Sequence, residues 1–359
     1  MEITFLQGLW FFLIAVLIAG YFILDGFDLG AGVLYPFITK NNTEKAIVRR
    51  AIGPVWDGNE VWLLTAGGAL FAAFPPAYAT TFSGFYLAVM LVLFGLIVRA
   101  VAVEFRGHDP HWGGLWNACF FIGSLLPALL LGVAIGNVYA GVPMVGNTIP
   151  NATAGDYYTM AMGNSAYNGI PVLGLITPFT LLTGILGLLM FMAQGATWIA
   201  LKAPKDSALQ LRAAKLRLPL QVITLVVFVV VSVFALAVVK PDILPALQIP
   251  CYLFAVLFLA AIIVSIVLAK KGDLGPFIAQ SASAFVLVGL FALSMFPNFV
   301  VAASNSLGPN ITAMSAANSE YTLAAMAIIT CIGLPLVLIY HVIIYRTFRG
   351  RVSEEDASY

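Results

Sequence analysis

Charged side chains are scarce in this chain of 359 residues, where Asp, Glu, Lys and Arg together make up 9%. An ordinary soluble domain has roughly a quarter. Hydrophobic residues make up 61%, and the mean hydropathy is +0.99. So few charges cannot cover the surface of a soluble protein of this size. The composition therefore excludes a soluble enzyme, a disordered chain and a nucleic-acid-binding protein.

Cysteine and histidine are also rare, with three residues of each. The cysteines all lie in apolar stretches, so we expect neither a disulfide framework nor a zinc site. A membrane haem protein needs axial ligands at membrane depth. His108 and His111 lie in a short polar loop and His341 lies near the end of the last apolar stretch. We therefore expect no haem ligand and no metal site in this chain.

Nine stretches are apolar enough to cross a bilayer as helices, which takes about 20 residues each. They do not show the strict alternation of a membrane β-barrel. We therefore predict an all-α polytopic membrane protein with nine transmembrane helices, of which the first is retained and is not a signal peptide. Pro127, Pro178 and Pro335 fall inside spans, where we expect kinks. The predicted spans are residues 8–34, 54–74, 77–103, 113–140, 170–200, 217–239, 249–269, 276–302 and 321–346.

The positions of Lys and Arg predict the orientation of these spans, because basic residues collect on the cytoplasmic side. With nine spans, Lys240 alone falls on the opposite side from the other 16 of the 17 basic residues. We therefore predict an outer N-terminus and a cytoplasmic C-terminus, with a short, charged and mobile tail at 348–359. Long polar loops at 141–169 and before the ninth span, at 303–320, are then outside. Each loop is either a solvated cap or a contact surface for a partner subunit.

Ionisable residues inside spans are costly, so each is a candidate for function. Span one carries Asp25 and Asp28, and span two opens with Asp57 and Glu60. The spacing of three places both members of each pair on one helical face. Arg99 in span three is the fixed positive charge nearby. Four carboxylates beside one cation in a low dielectric cannot all be ionised, which is typical of a proton relay leading in from the cytoplasm.

A purely structural interpretation of these acids stays open. Asp28 and Asp57 are placed where a carboxylate can cap a helix or accept a backbone hydrogen bond, and acids are favoured in a first helical turn. The glycine pairs at residues 26 and 30, and at 132 and 136, indicate close packing of helices.

Long motifs resemble one family of membrane proteins, subunit II of cytochrome bd quinol oxidase. The most distinctive are GYFILDGFDLGAG and GPVWDGNEVWLLTAGGALFAAFPPAYATTFSGFY. The segments LPALLLGVAIGN, MFMAQGATWIALK and SMFPNFV are similar to the family in the same order. The resemblance covers essentially the whole chain and is strongest in the first 140 residues.

The resemblance implies a subunit of a terminal oxidase in the bacterial cytoplasmic (inner) membrane. That complex oxidises quinol, reduces O2 to water and generates a proton-motive force. Two haems b and one haem d are expected in subunit I, so this chain is expected to have no haem ligand and no activity alone. The expected partners are subunit I, membrane lipids, quinone and a small single-helix accessory subunit.

The resemblance also implies roles for individual residues and a division of the chain. It puts Asp25, Asp28 and Asp57 on a proton pathway, while Glu60 stands where some relatives have Gln. Trp62 matches a family tryptophan near the mouth of an O2 path. The implied architecture is one transmembrane domain over 1–359, built of two four-helix bundles and an additional helix. The expected boundaries are 1–140 and 170–302 for the bundles, 141–169 for the outer loop, 303–347 for a second outer loop with the ninth helix, and 348–359 for the tail.

Two other functions stay open from the residues alone. A proton-coupled secondary transporter would also have buried acids, but it should show corresponding features in two halves. Spans five to eight have no acidic counterpart of spans one to three. A pure scaffold subunit, whose acids serve packing, is the third alternative.

Overall fold

The computed structural model describes residues 3–109, 111–142, 144, 175–303 and 308–353. Within these ranges the chain forms eleven α-helices and one two-stranded hairpin. The first six helices are α1 (Phe5–Ile38), α2 (Asn42–Ile52), α3 (Trp56–Ala73), α4 (Pro75–Gly84), α5 (Tyr86–Phe105) and α6 (Gly113–Ala140). The others are α7 (Pro178–Lys202), α8 (Ala208–Phe234, extended by a π-helical turn at Ala235–Val239), α9 (Pro245–Leu268), α10 (Leu274–Met295) and α11 (Glu320–Thr347). Strands β1 (Asn298–Val300) and β2 (Ile311–Thr312) pair antiparallel.

Eight helices in the described ranges are long and apolar enough to cross a membrane, namely α1, α5, α6, α7, α8 with its π-helical turn, α9, α10 and α11. A helical polytopic membrane protein is therefore confirmed, with the small hairpin as an addition. The predicted second span forms α3, an 18-residue helix whose first two turns carry Asp57, Asn59 and Glu60 and make it less apolar. The count of nine spans, the orientation and the two-bundle division stay predictions.

Two predicted spans are not continuous helices over their predicted length. Residues 77–103 are not one helix, because the backbone leaves the helical region at Phe85 (φ −95°, ψ 23°) between α4 and α5. The predicted helix 276–302 ends at Met295, and β1 follows. Pro297 has no N–H with which to continue the helical ladder, which explains this end.

Two further boundaries are wrong at the helix starts. The predicted span 170–200 begins as a helix only at Pro178, which occupies the first turn and therefore does not kink α7. The predicted span 217–239 begins earlier, at Ala208, where the Ser207 side chain accepts a hydrogen bond from the Gln210 N–H. This cap lets the helix extend through basic residues that a count of apolar residues leaves out.

Helix α1 is the central helix and packs against α3, α6, α7 and α10. Its crossing with α7 is very close, since a Cβ on Gly30 would lie 1.8 Å from the Phe191 carbonyl oxygen. Helices α6 and α7 approach in the same way, with a Cβ on Gly132 placed 2.6 Å from the Thr183 carbonyl oxygen. The prediction that these glycine motifs mark close helix packing is therefore confirmed.

The first residues of the C-terminal tail are fixed on the helix ends. The Val352 N–H donates to the Lys202 carbonyl oxygen at 2.8 Å, and the Val352 side chain is buried. The expectation of a mobile tail is thus wrong for 348–353, because these residues find hydrogen-bond partners at the end of α7. Residues 354–359 lie outside the described ranges, as does most of the predicted outer loop 141–169.

The described part of the second outer loop is held by its own asparagines. The Asn310 side chain accepts a hydrogen bond from the Ala302 N–H at 2.8 Å, and Asn318 donates to the Ala72 carbonyl oxygen at 3.1 Å. The first bond closes the connection between β1 and β2, and the second joins the segment before α11 to the end of α3.

Candidate functional site

Ionisable and polar side chains from three helices meet inside the membrane-crossing part of the fold. Asp25 and Asp28 on α1, Asn59 on α3 and Arg99 on α5 are all nearly or fully buried within this chain. Glu60 on α3 lies at the edge of the group, with its side chain 24% exposed. We call these five residues the acid–arginine cluster.

Arg99 is the electrostatic centre of the cluster. Its NH1 donates to Asp25 Oδ1 at 2.7 Å, and its NH2 lies 3.3 Å from Glu60 Oε2. A buried charge is tolerated only when it is paired. Arg99 therefore pairs with an acid on each of two other helices and joins α1, α3 and α5 at one point.

Asp28 has a different environment although it is one helical turn from Asp25. Its Oδ2 accepts a hydrogen bond of 2.8 Å from Asn59 Nδ2, and no ion pair to Asp28 forms among the described residues. Asn59 also donates to the Leu24 carbonyl oxygen and accepts from the Tyr345 hydroxyl at 2.9 Å. A hydrogen-bonded chain thus runs from Tyr345 on α11 through Asn59 to Asp28.

Several polar atoms of this region have no hydrogen-bond partner among the described residues. They are Asp25 Oδ2, Asp28 Oδ1, Tyr21 Oη and Gln194 Oε1. Buried polar atoms are nearly always hydrogen-bonded, to protein or to ordered water. Such a concentration in one place is typical of a site that binds internal water or exchanges protons.

The structure brings only part of the predicted acid set together. Asp25, Asp28 and Glu60 meet around Arg99, whereas Asp57 is exposed on the surface of the chain and makes no hydrogen bond or ion pair with the described residues. Asn59 lies on the face of α3 that packs against α1. Residues two apart point to nearly opposite sides of a helix, so Asp57 faces away from α1. Glu60 points in a direction between those of Asn59 and Asp57.

Trp62 lies one turn further along α3 and is buried. Its Nε1–H donates to His341 Nε2 at 3.1 Å, and a Cβ on Gly20 would collide with its ring. His341 Nδ1 lies 2.9 Å from the Val337 carbonyl oxygen. Because Nε2 accepts and a carbonyl can only accept, the proton of a neutral His341 is on Nδ1.

None of the three histidines is part of the acid–arginine cluster. Both ring nitrogens of His341 are already hydrogen-bonded, and His108 and His111 are exposed in the α5–α6 connection. Within the described ranges no group of three or more His, Cys, Asp or Glu side chains is placed to hold a metal ion.

Four residues of this region were missed by the sequence reasoning: Asn59, Gln194, His341 as a partner of Trp62, and Tyr345. Gln194 donates to the Ile23 carbonyl oxygen at 2.5 Å across the α1–α7 crossing. Asn59 stands inside the WDGN motif, and Gln194 is a polar residue within an apolar span, so both carried a signal. The contacts of His341 and Tyr345 depend on how α11 packs, which the sequence does not show.

Helices that cross a membrane around a buried group of acids and one arginine define a polytopic membrane protein with a charged interior site. Residues 6–348 match the family model described as cytochrome bd terminal oxidase subunit II. The chain belongs to this family. It is thereby a multi-pass protein of the bacterial inner membrane.

Individual relatives agree over nearly full length. Cytochrome bd ubiquinol oxidase subunit 2 of Bacillus subtilis (strain 168) is 35% identical over 355 residues, covering 98% of each chain. Cytochrome bd-I ubiquinol oxidase subunit 2 of Escherichia coli (strain K12) is 32% identical over 381 residues, covering 98% of this chain and 96% of the relative. A chain in the structure of bd oxidase from Geobacillus thermodenitrificans has a TM-score of 0.75 at 15% identity, covering 96% of this chain and 99% of that one. At that identity the likeness shows the fold.

Proposed function

We propose that this chain is the subunit of a cytochrome bd-type terminal oxidase that ligates no haem and conducts protons towards the site of O2 reduction. The complex oxidises quinol, reduces O2 to water and carries two haems b and one haem d in subunit I. The support is family membership and the printed names of the relatives, which are ubiquinol oxidase subunits. The quinol substrate, subunit I and a small accessory subunit are partners on the same basis.

The observation that carries the proton-conducting role is the graded burial of the four acids. Asp57 is exposed, Glu60 is 24% exposed, and Asp25 and Asp28 are fully buried. O2 reduction to water consumes protons, which must reach a site inside the membrane. A row of acids from the surface to the interior supplies positions at which a proton is held, and internal water bridges the unpartnered oxygens between them.

The cluster residues have different roles in this proposal. Asp57 and Glu60 collect protons at the surface. Arg99 holds Asp25 in place and supplies the positive charge that keeps the interior group close to neutral. Asp28, which has a hydrogen bond from Asn59 but no ion pair, is the acid that takes up and releases a proton. Trp62, fixed by His341, lines the O2 path.

Two amide variants at the surface end test this role. Asp57→Asn and Glu60→Gln keep the shape of each side chain and remove its titrating group. We expect turnover per haem d in the purified complex to fall about tenfold or more in Asp57→Asn, in line with loss of a positioned acid–base group. The effect of Glu60→Gln should be milder, and the haem content should be unchanged in both.

Glu104→Gln is the matched control, because Glu104 is an exposed acid at the end of α5 whose side chain makes no hydrogen bond within the described ranges. Its turnover should equal that of the wild type. Wild-type turnover in Asp57→Asn at full haem content would exclude a role in proton conduction for that residue. Loss of haem together with turnover would instead show that the acids serve assembly, as in the scaffold alternative.

A further inference from the structure

A cavity of about 220 Å³ lies at the predicted cytoplasmic end of the helices. Its walls come from the end of α2, the connection to α3, the end of α7, the end of α11 and the tail. Arg50, Lys202 and Arg351 line one part, and Val55, Trp198 and other apolar groups line the rest. None of the acid–arginine cluster residues lines the cavity, but Tyr345 in its wall donates a hydrogen bond to Asn59 of that cluster.

Among the described residues that line this cavity, three are cationic and none is acidic, while Asp273 lies outside the lining and pairs with Arg351. Lys202 is only 6% exposed, and its Nζ donates to the carbonyl oxygens of Phe348 and Gly350 without a carboxylate partner among the described residues. Neutral carbonyls compensate a buried ammonium less well than a carboxylate does.

The other two cations differ in how they are held. Arg351 NH1 donates to the carbonyl oxygens of Ala200 and Ala203, and its NH2 reaches Asp273 at 2.8 Å. Arg50 is exposed at the rim and makes no hydrogen bond within the described ranges. The Arg351 guanidinium is therefore fixed by the fold, while the Arg50 guanidinium is free to bind a ligand.

We propose that this cavity binds a phosphate group. Arg50 and Lys202, which have no carboxylate partner among the described residues, attract an anion, and a guanidinium group matches phosphate oxygens in geometry. Basic pockets at the cytoplasmic ends of membrane helices are typical binding sites of lipid headgroups. The phosphate comes either from an anionic phospholipid or from free phosphate in the cytoplasm.

The location explains what such a ligand would do. Lys202 and Arg351 already connect the end of α7 to the tail through backbone carbonyls. A phosphate between Arg50 and Lys202 would join α2 to the same unit and neutralise the unpaired positive charge. The ligand therefore acts as a structural bridge on the cytoplasmic face, independent of proton conduction.

Native mass spectrometry of the intact, delipidated oxidase complex tests this proposal. The probes are dioleoyl phosphatidylglycerol, zwitterionic dioleoyl phosphatidylcholine and inorganic phosphate, added separately. We expect one molecule of phosphatidylglycerol or of phosphate to bind saturably to the wild-type complex. In Arg50→Gln its affinity should be about tenfold weaker, the effect of losing one charge-assisted contact. Which of the two anions binds identifies the source.

Lys271→Gln is the matched control, because it removes one exposed positive charge from the same predicted face without lining the cavity. It should bind like the wild type. Lys202→Met should weaken anion binding more than Arg50→Gln does. Because only intact complexes are counted, misfolded protein does not enter the measurement. Equal binding in wild type and Arg50→Gln, equal loss in Lys271→Gln, or no saturable binding of either anion would overturn the proposal.

Discussion

Asp25 and Asp28 are one helical turn apart on α1, and the structure gives them different partners. Asp25 forms an ion pair with Arg99, so its negative charge is needed to compensate the buried guanidinium. Asp28 has only the hydrogen bond from the Asn59 amide. An amide can accept the same bond, so Asp28→Asn keeps the packing, whereas Asp25→Asn leaves Arg99 without its main partner. The two acids can therefore be separated experimentally.

The Asp25–Arg99 pair predicts strong coupling in a double-mutant cycle. Asp25→Asn and Arg99→Gln should each destabilise the complex by about 3–5 kcal/mol, since each leaves a buried charge without its main partner. The double variant should lose clearly less than the sum of the two. The measurement is the unfolding of the purified complex, with haem content followed in parallel. Strict additivity would show that the two side chains do not interact in the folded protein.

At the scale of elements, the crossing of α1 and α7 positions the cluster. Gly30→Ala should lower the thermal midpoint and the haem content of the complex, because the added Cβ meets the backbone of Phe191, which cannot move aside alone. Gly333→Ala on α11 is the control, since a Cβ there meets nothing within 4 Å. That variant should be neutral or slightly stabilising. Equal effects of the two substitutions would contradict a tight crossing.

The connection between α9 and α10 holds the tail through Asp273. Burial alone would raise the pKa of Asp273, but hydrogen bonds from Arg351 and Arg217 outweigh it and hold this pKa below its ordinary value of 3.8. A carboxyl with a lowered pKa stabilises the fold fully above its unfolded pKa and loses this contribution as pH falls through the folded value. Docking of the tail should therefore be constant at neutral and mildly acidic pH, and weaken only below about pH 4.

Hydrogen exchange at the Val352 amide reports this docking directly, because that N–H donates to the Lys202 carbonyl oxygen. We expect Asp273→Asn to raise the exchange rate about tenfold at neutral pH, the effect of weakening charge-assisted hydrogen bonds. Asp206→Asn serves as the comparison: Asp206 is exposed, and its positive φ of 61° suits asparagine. Unchanged protection in Asp273→Asn would show that the tail is held by other contacts.

Much of this element-level structure was predictable from the sequence, for identifiable reasons. Apolar length predicts α1, α6 and α11 closely, because hydropathy is what a bilayer selects. It fails at Phe85, because apolar length does not register the helix end at Gly84, and at Ala208, where a capping serine starts the helix among charged residues. The acids and Arg99 are visible as charges within apolar runs. The outward rotation of Asp57 is not, because it depends on which face of α3 packs on α1.

At the scale of the whole molecule, this chain contributes a charged interior and a large apolar surface. Among the described helices, α11 is the least buried of the eight spans, and its side chains at Ile328, Ile329 and Ile332 are each at least 66% exposed. Exposed apolar residues at membrane depth contact lipid or another subunit. Family membership makes subunit I the proposed partner, and the chain alone is expected to lack both haem and activity.

The central claim is that Asp28, a buried acid of α1, carries protons for O2 reduction, and Asp28→Asn in the intact complex tests it most directly. Fully reduced enzyme is mixed with O2, and haem absorbance and proton uptake are followed in a single turnover. The account predicts full haem content, an unchanged O2-binding phase and proton uptake slowed about tenfold or more. Proton uptake at the wild-type rate in Asp28→Asn, with all haems present, would contradict it.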